Sequence, residues 1–318
     1  MAMRYRKLGK WGIKVSEISL GAWTTYGDAV KDREAIKQIV KLAYDGGVNF
    51  FDNADAYARG LGEEMMSQAL ADFPRHTLVL STKLFWPMSD DVNDRGLSRK
   101  HIHESIGRSL RRMGTDYVDL YFCHRHDPET PMEEIVSSMS SLVDRGLILY
   151  WGTSEWPAAR IVEAVQVAKA GGWHPPVVEQ PQYSMLARDR FEKEILPETE
   201  RYGMGAVVWS PLAQGMLTGR YDKGIPKGSR FERYPQFASR FVTEENRKKV
   251  KALKKVADSL GLTRTQLALA WVLRHKGVSS AITGATKPEQ IEESLGAAGV
   301  DLPPEAVEKI EGILNPAQ

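Results

Sequence analysis

Short apolar runs rich in β-branched and aromatic residues alternate along this chain with stretches whose apolar positions recur every three or four residues. The runs lie at Ile18–Leu20, Val48–Phe51, Leu78–Ser81, Tyr117–Cys123, Leu147–Trp151, Val177–Glu179, Ala206–Trp209 and Ser280–Ile282. Between them, Ile36, Ile39, Val40 and Ala43 mark one amphipathic helix, and Ile102, Ile106, Leu110 and Met113 another. Val250–Leu260 and Gln266–Leu273 repeat that period. Ser98 is placed as an N-cap, Pro131, Pro157 and Pro288 as first-turn residues, and Gly46-Gly47 and Gly114 as helix stops. Eight strands alternating with helices predict a single (β/α)8 TIM barrel spanning residues 1–318 as one domain. The leading segment Arg4–Ser16, with turn residues Gly9 and Gly12, predicts a hairpin covering one barrel end. The segment Pro211–Phe241, after the seventh strand, has little periodicity and reads as a long loop of functional length.

Composition narrows the partners. Lys plus Arg (43) nearly balances Asp plus Glu (41), so the net charge of +2 makes no case for nucleic acid or an anionic membrane. The one cysteine, Cys123, has no internal disulfide partner, which fits a reducing cytosol. No apolar leader follows Met-Ala-Met-Arg-Tyr-Arg-Lys, and no uncharged run approaches the roughly 20 residues of a membrane helix. A cytoplasmic globule without membrane insertion is the expectation.

Four chemically distinct side chains follow predicted strands: Asp52, Tyr57, Lys83 and His124. In a parallel barrel such positions converge on one mouth. A phenol is a poor acid or base near its free pKa of about 10. A neighbouring ammonium is expected to lower it, a carboxylate to keep that ammonium charged, and an imidazole to orient a carbonyl. Beside a hydride donor the set would reduce a carbonyl. Singly, each has a plainer reading: a turn aspartate, a packed tyrosine, a surface lysine, a half-buried histidine. Together at strand ends they point to an active site.

The run Gly47-Val48-Asn49-Phe50-Phe51-Asp52-Asn53-Ala54-Asp55-Ala56-Tyr57 resembles the first signature of the aldo-keto reductases, and Ser81-Thr82-Lys83, Tyr117 to His124 and Trp209-Ser210-Pro211-Leu212 continue the resemblance in order. It covers essentially the whole chain. It implies a barrel, NADPH-dependent carbonyl reduction, Tyr57 as proton donor, Lys83 and Asp52 as its tuning pair, and His124 as substrate orienter. Phe85-Trp86-Pro87, Gly96 to Ile102, Asp127 to Glu134 and Tyr150 to Trp156 are similar to the β-subunits of voltage-gated potassium channels and their bacterial and plant relatives. The animal channel subunits carry Asn where this chain has His124, so the full tetrad favours a working reductase. A channel partner is the lesser expectation. The same resemblance implies a homo-oligomer, a tetramer or higher.

By that resemblance the NADP(H) site takes Trp23 and Asp52, Ser154 and Gln180 for the carboxamide, and Trp209, Ser210, Pro211, Leu212 and Gln214 around ribose and pyrophosphate. Gly284, Thr286, Gln290 and Glu293 open the last βα unit, where a helix N-terminus suits a phosphate; the plainer reading is an ordinary helix start. Arg220 and Arg230 are candidates to bracket a 2′-phosphate. Many reductases of the superfamily have Lys and Arg at Gly284 and Gln290; the channel-type relatives share Gly and Gln there and bind NADPH, so NADP is expected and NAD use stays open. Trp23, Tyr26, Trp86, Trp156 and Tyr183 are the expected pocket wall for an apolar or aromatic carbonyl substrate, although Trp86 and Trp156 fit loop packing equally well.

Rival readings are weaker. No complete G-x-G-x-x-G exists, since Met65 occupies the third glycine position after Gly60-Leu61-Gly62. His124-Arg125-His126 lacks a second ligand cluster, so no metal is expected. A Schiff-base role for Lys83 conflicts with Asp52 holding it charged. The non-enzyme alternative is an NADPH-binding redox-sensing accessory subunit of a potassium channel.

Overall fold

The structure is a computed structural model that describes residues 2–315. An antiparallel hairpin comes first, β1 (Tyr5–Lys7) with β2 (Lys14–Ser16). Eight further strands follow: β3 (Ile18–Gly21), β4 (Phe50–Asp52), β5 (Val79–Leu84), β6 (Val118–Cys123), β7 (Ile148–Ser154), β8 (Val178–Gln180), β9 (Gly205–Trp209) and β10 (Val278–Thr283). Each pairs in parallel with the next, and β10 closes onto β3 through Ile282 opposite Ser19. The fold is the expected (β/α)8 barrel with an N-terminal hairpin. Six strands run past their expected ends: β3 to Gly21, β4 to Asp52, β5 to Leu84, β7 to Ser154, β8 to Gln180 and β10 to Thr283. Their extra residues are partly polar, and backbone pairing is indifferent to side-chain polarity once neighbouring side chains satisfy it.

The outer layer follows the amphipathic spacing. Helix Arg33–Asp45 buries Ile36, Ile39, Val40 and Ala43, and helix Arg99–Met113 starts where the Ser98 side chain accepts from the His101 amide at 3.2 Å. Helices Glu244–Ser259 and Arg264–Leu273 hold the other two stretches, the first up to Ser259 with Leu260 as its C-cap. Pro288 opens its helix as expected. Pro131 and Pro157 stand one residue earlier, as extended N-caps with φ −56° and ψ 140°. The Pro211–Phe241 segment is not a bare loop. It holds short helical turns at Ala213–Thr218, Arg230–Arg233 and Pro235–Phe241. Turns this short repeat no apolar position, so periodicity cannot reveal them.

Beyond the first residues of β6, β7 and β10, the barrel strands follow one alternation. Phe50, Val79, Leu120, Phe122, Val178, Val207 and Ile282 form the interior cluster, while Phe51, Leu80, Tyr121, Cys123, Ala206 and Val208 belong to the cluster beneath the helices. The hairpin caps the interior from the strands' N-terminal end. Leu8 and Val15 join the interior cluster. The Lys10 amide donates to the Gly203 carbonyl at 3.0 Å, and the Ser16 amide to Asn49 Oδ1 at 2.8 Å. Gly9 has φ +55°, and a Cβ there would stand 2.2 Å from the Gly203 carbonyl oxygen; the close approach requires glycine.

Candidate active site

Continuing the interior parity two residues at a time leads from the apolar plug to the chemistry: Phe50 to Asp52; Val79 to Ser81 and Lys83; Leu120 to Phe122 and His124; Val178 to Gln180; Val207 to Trp209. All are therefore brought to the C-terminal mouth by register alone. Lys83 is fully buried. Its Nζ donates to Asp52 Oδ2 at 2.7 Å, to the Asn53 carbonyl at 2.5 Å and to Tyr57 Oη at 3.2 Å. Asp52 Oδ1 accepts from Ser81 Oγ at 2.7 Å and Gln180 Nε2 at 3.0 Å. Ser154 Oγ donates in turn to the Gln180 carbonyl at 2.9 Å. Tyr57 comes from the tight turn after β4, where Ala58 (φ +48°) and Arg59 (φ +55°) swing the chain back. The Tyr57 and His124 rings meet edge to face, centroids 5.8 Å apart.

The electrostatics depart from expectation at one point. Burial and then the Asp52 charge hold the Tyr57 phenol well above its ordinary value, where the sequence reading expected the lysine to lower it. Lys83 does not act on the phenol as a free cation, because Asp52 pairs with it at contact distance. Burial pulls Lys83 below the usual lysine range, with Asp52 opposing. His124 is driven well below 6.5 by burial, then by Lys83 and Arg125, so its ring is neutral at physiological pH. Its Nδ1 is buried with no partner among the described residues.

The proposed cofactor wall is partly assembled from the same mouth. Trp23 packs edge to face on Trp209 at 5.5 Å and on Phe237 at 5.8 Å. Arg230 lies over the Trp23 ring at 5.5 Å. A Cβ on Gly284 would come 3.9 Å from the Arg230 guanidinium and 3.5 Å from Thr25 Cγ2. The nearby carboxylate, Asp28, is instead engaged by Tyr234 and by Arg233 at 3.4 Å. The chain after β9 is held in left-handed conformation at Ser210, Ala213 and Gln214, and Gln214 Oε1 is buried without a partner among the described residues. Gln290 Oε1 accepts from the Thr286 amide at 2.7 Å and its hydroxyl at 3.1 Å, fixing the loop that follows Gly284. Glu293 is half-buried on the following helix, and Arg220 is exposed. Leu212 and Pro211 sit in the turn between β9 and the Ala213–Thr218 helical turn.

The expected pocket wall divides. Trp86 is 39% exposed and faces the mouth, 6.2 Å from the His124 ring. Tyr183 is corrected. It is fully buried beneath the helices, its ring against Phe191 at 4.4 Å and Trp271 at 5.3 Å, with its hydroxyl donating to Glu192 Oε1 at 2.6 Å. Trp156 is likewise fully buried, edge to face on His126 at 5.1 Å, and Tyr26 is buried in the outer cluster. Strand-end position alone does not say which way a loop aromatic turns. Residues with no assigned role also stand at the mouth. Phe237 joins the tryptophan pair. Glu155, in a left-handed conformation with φ +57°, accepts from Trp209 Nε1 at 3.0 Å and the Gln182 amide at 2.5 Å. Arg125 follows His124 directly. No spacing rule marks Phe237; Arg125 was visible as part of His124-Arg125-His126.

Comparisons with known proteins point to one family. The model of the Aldo/keto reductase family matches residues 17–315. A "Probable voltage-gated potassium channel subunit beta" of Oryza sativa subsp. japonica is 48% identical over 98% of this chain and 97% of its own length. A protein with the same description from Arabidopsis thaliana is also 48% identical, and a "Putative voltage-gated potassium channel subunit beta" of Schizosaccharomyces pombe is 45% identical over 98% of this chain and 93% of its own length.

Proposed function

The chain belongs to the aldo/keto reductase family of nicotinamide-dependent oxidoreductases, and from that premise we propose that it reduces aldehydes and ketones to alcohols with NADPH, Tyr57 giving the proton. The observation that supports this most is the Tyr57 hydroxyl held 3.2 Å from a buried, carboxylate-paired Lys83. A phenol kept above its usual pKa is fully protonated before reaction. The nicotinamide, when bound, supplies the hydride. The chain supplies the rest. Neutral His124 donates a hydrogen bond to the carbonyl oxygen. Tyr57 releases its proton to that oxygen as negative charge builds there. The phenolate left behind then faces the Lys83 ammonium, which stabilises it most in the transition state and afterwards, where stabilisation raises rate. Asp52 keeps that ammonium charged inside a dry site.

The residues fit the cofactor. Arg230 is a half-buried guanidinium beside Gly284 with no carboxylate within ion-pair distance among the described residues, a setting that suits a 2′-phosphate. Ser154 and Gln180 would take the carboxamide, and the Ser210–Gln214 turn, left-handed at Ser210, Ala213 and Gln214, would wrap the ribose and pyrophosphate. Arg220, exposed and with no partner for its guanidinium among the described residues, is the lesser candidate. We place the protein in the cytoplasm, where the buried Cys123 thiol stays reduced. Among the described residues no helix is long and apolar enough to cross a membrane.

Purified protein should oxidise NADPH in the presence of 4-nitrobenzaldehyde, followed at the nicotinamide absorbance, and Tyr57→Phe should lose about 10²-fold or more in kcat while binding NADPH normally. Wild-type turnover that Tyr57→Phe retains would sink the assignment. The names of the relatives favour a second reading, an accessory subunit of a potassium channel that uses NADPH to sense redox state. A single-turnover experiment separates the two: a sensor transfers one hydride and stalls, a catalyst cycles.

A further inference from the structure

The mouth holds one cation that the reaction above does not use. Arg125 follows His124 where β6 ends, and its guanidinium stands 5.5 Å over the Trp86 ring. Its side-chain hydrogen bond runs from Nη1 to the carbonyl of His124; no carboxylate lies within ion-pair distance among the described residues. It is half-buried, and burial pulls its pKa down. The groups that act on it most, Glu155, Tyr57, Glu179 and Arg190, are paired or neutral. Lys83 has Asp52 at 2.7 Å. Glu155 has Arg190 at 2.5 Å, with the Trp209 indole and the Gln182 amide as further donors. Glu179 lies beneath the helices, bonded to Thr153, and burial raises it to about 8, so it is neutral at physiological pH. His124 is neutral. Arg125 is therefore a cation without an ion-pair partner among the described residues, a planar donor fork over the exposed Trp86 and beside His124.

A half-buried guanidinium without a counter-ion is costly, and it is retained where a ligand completes it. Resting on the reductase reading, we propose that the preferred substrate is a carbonyl compound bearing an anionic group, a carboxylate or phosphate, which Arg125 binds while the carbonyl meets Tyr57 and His124. Trp86 covers the spacer between the two ends of such a molecule. Arg125 is thus a specificity-determining residue and takes no part in proton transfer.

The test compares 4-carboxybenzaldehyde with 4-nitrobenzaldehyde, alike in shape and different in charge, with wild type, Arg125→Met and Arg125→Lys. Taking the ratio between variants cancels the intrinsic reactivity of the two aldehydes. Arg125→Met is expected to lose about tenfold to a hundredfold in kcat/KM on the carboxylate, mainly through KM, and less than about threefold on the nitro compound. Arg125→Lys should recover part of the loss, since charge returns without the fork. Equal losses on both aldehydes, or none on either, would overturn the proposal and leave the reductase reading standing. A protein inactive on both aldehydes would overturn the reductase reading instead. The inference is then read from calorimetric binding of 4-(hydroxymethyl)benzoate and 4-nitrobenzyl alcohol to the NADP-loaded protein. Loss of the first alone in Arg125→Met upholds the anion site; parallel behaviour of the two rejects it.

Discussion

At the N-terminal end of the barrel, Leu8 and Val15 of the hairpin press on Phe50, Val79, Leu120 and Val207. At the C-terminal end the same strands, two to four residues on, present Asp52, Lys83 and His124. The backbone differs in parallel. Every non-glycine residue with positive φ among those described follows a barrel strand: Thr24 after β3, Ala58 and Arg59 after β4, Phe85 after β5, Glu155 after β7, and Ser210, Ala213 and Gln214 after β9. Such conformations cost of order 1–3 kcal/mol each. The mouth also holds buried polar atoms without partners among the described residues, His124 Nδ1 and Gln214 Oε1. The base supplies burial, and the mouth spends part of it on strained turns and uncompensated polar groups. Stability and chemistry are thereby separated along one set of strands, as barrel architecture allows.

The largest expected effects should fall on opposite ends. Phe50→Ala empties the interior layer above the hairpin and should cost about 3–5 kcal/mol in denaturant unfolding, with kcat per folded molecule unchanged. Tyr57→Phe should do the reverse, about 10²-fold in kcat with little change in stability. If Phe50→Ala damaged kcat as severely as Tyr57→Phe, the two ends would not be separable.

Lys83→Met touches both. It removes the partner of a buried carboxylate, so the protein should lose about 3–5 kcal/mol in unfolding experiments, and reduction should fall at every pH. The double variant Lys83→Met with Asp52→Asn removes the stranded charge. Its stability should return while its activity does not. Recovery of both together would mean that Lys83 serves only to neutralise Asp52.

How much of this was legible in the sequence follows from the same division. Apolar runs and amphipathic periods are statistical imprints of burial, so all eight strands and the four named helices were readable. The convergence of Asp52, Lys83 and His124 on one mouth was readable because strand ends are local properties: these residues continue the alternation of Phe50, Val79 and Leu120. The phenol's pKa direction was not, because it depends on burial and on the Asp52–Lys83 pairing across strands. Tyr183 was misplaced for a similar reason. It follows β8 as Trp86 follows β5, but Arg274 and Glu192 hold its hydroxyl under the helices at 2.9 and 2.6 Å. The short helices of Pro211–Phe241 lie below the length at which a period can be counted.

Arg230 sharpens the mouth further. Arg230→Ala should weaken NADPH binding by roughly tenfold or more, the value of one charge-assisted pair to a phosphate. NADH, lacking the 2′-phosphate, should bind nearly as before. Titrations of both cofactors by tryptophan fluorescence give the four affinities. Equal losses would mean that Arg230 supports Trp23 and the Gly284 turn, and Arg220 would become the candidate.

The smallest expected effect is a near absence of pH dependence where histidine ordinarily titrates. His124 lies well below 6.5 because burial, Lys83 and Arg125 all oppose its protonation. Between about pH 6 and pH 8 the ring is already neutral, so kcat/KM for a neutral aldehyde should vary by less than about twofold, with no inflection near 6.5. The sign for stability is fixed by the same shift. The unfolded chain binds this proton more readily than the folded one, so the His124 contribution to unfolding free energy should fall as pH drops below about 6.5 and towards the depressed folded value, against the opposite contribution of Glu179, raised to about 8. Replacing His124 by Gln should flatten that acid limb. Arg125→Met removes one of the opposing charges and should move the folded value of His124 upward, bringing an activity inflection closer to neutrality. An inflection near 6.5 in the wild type would place His124 in a wetter, less positive mouth than the one described.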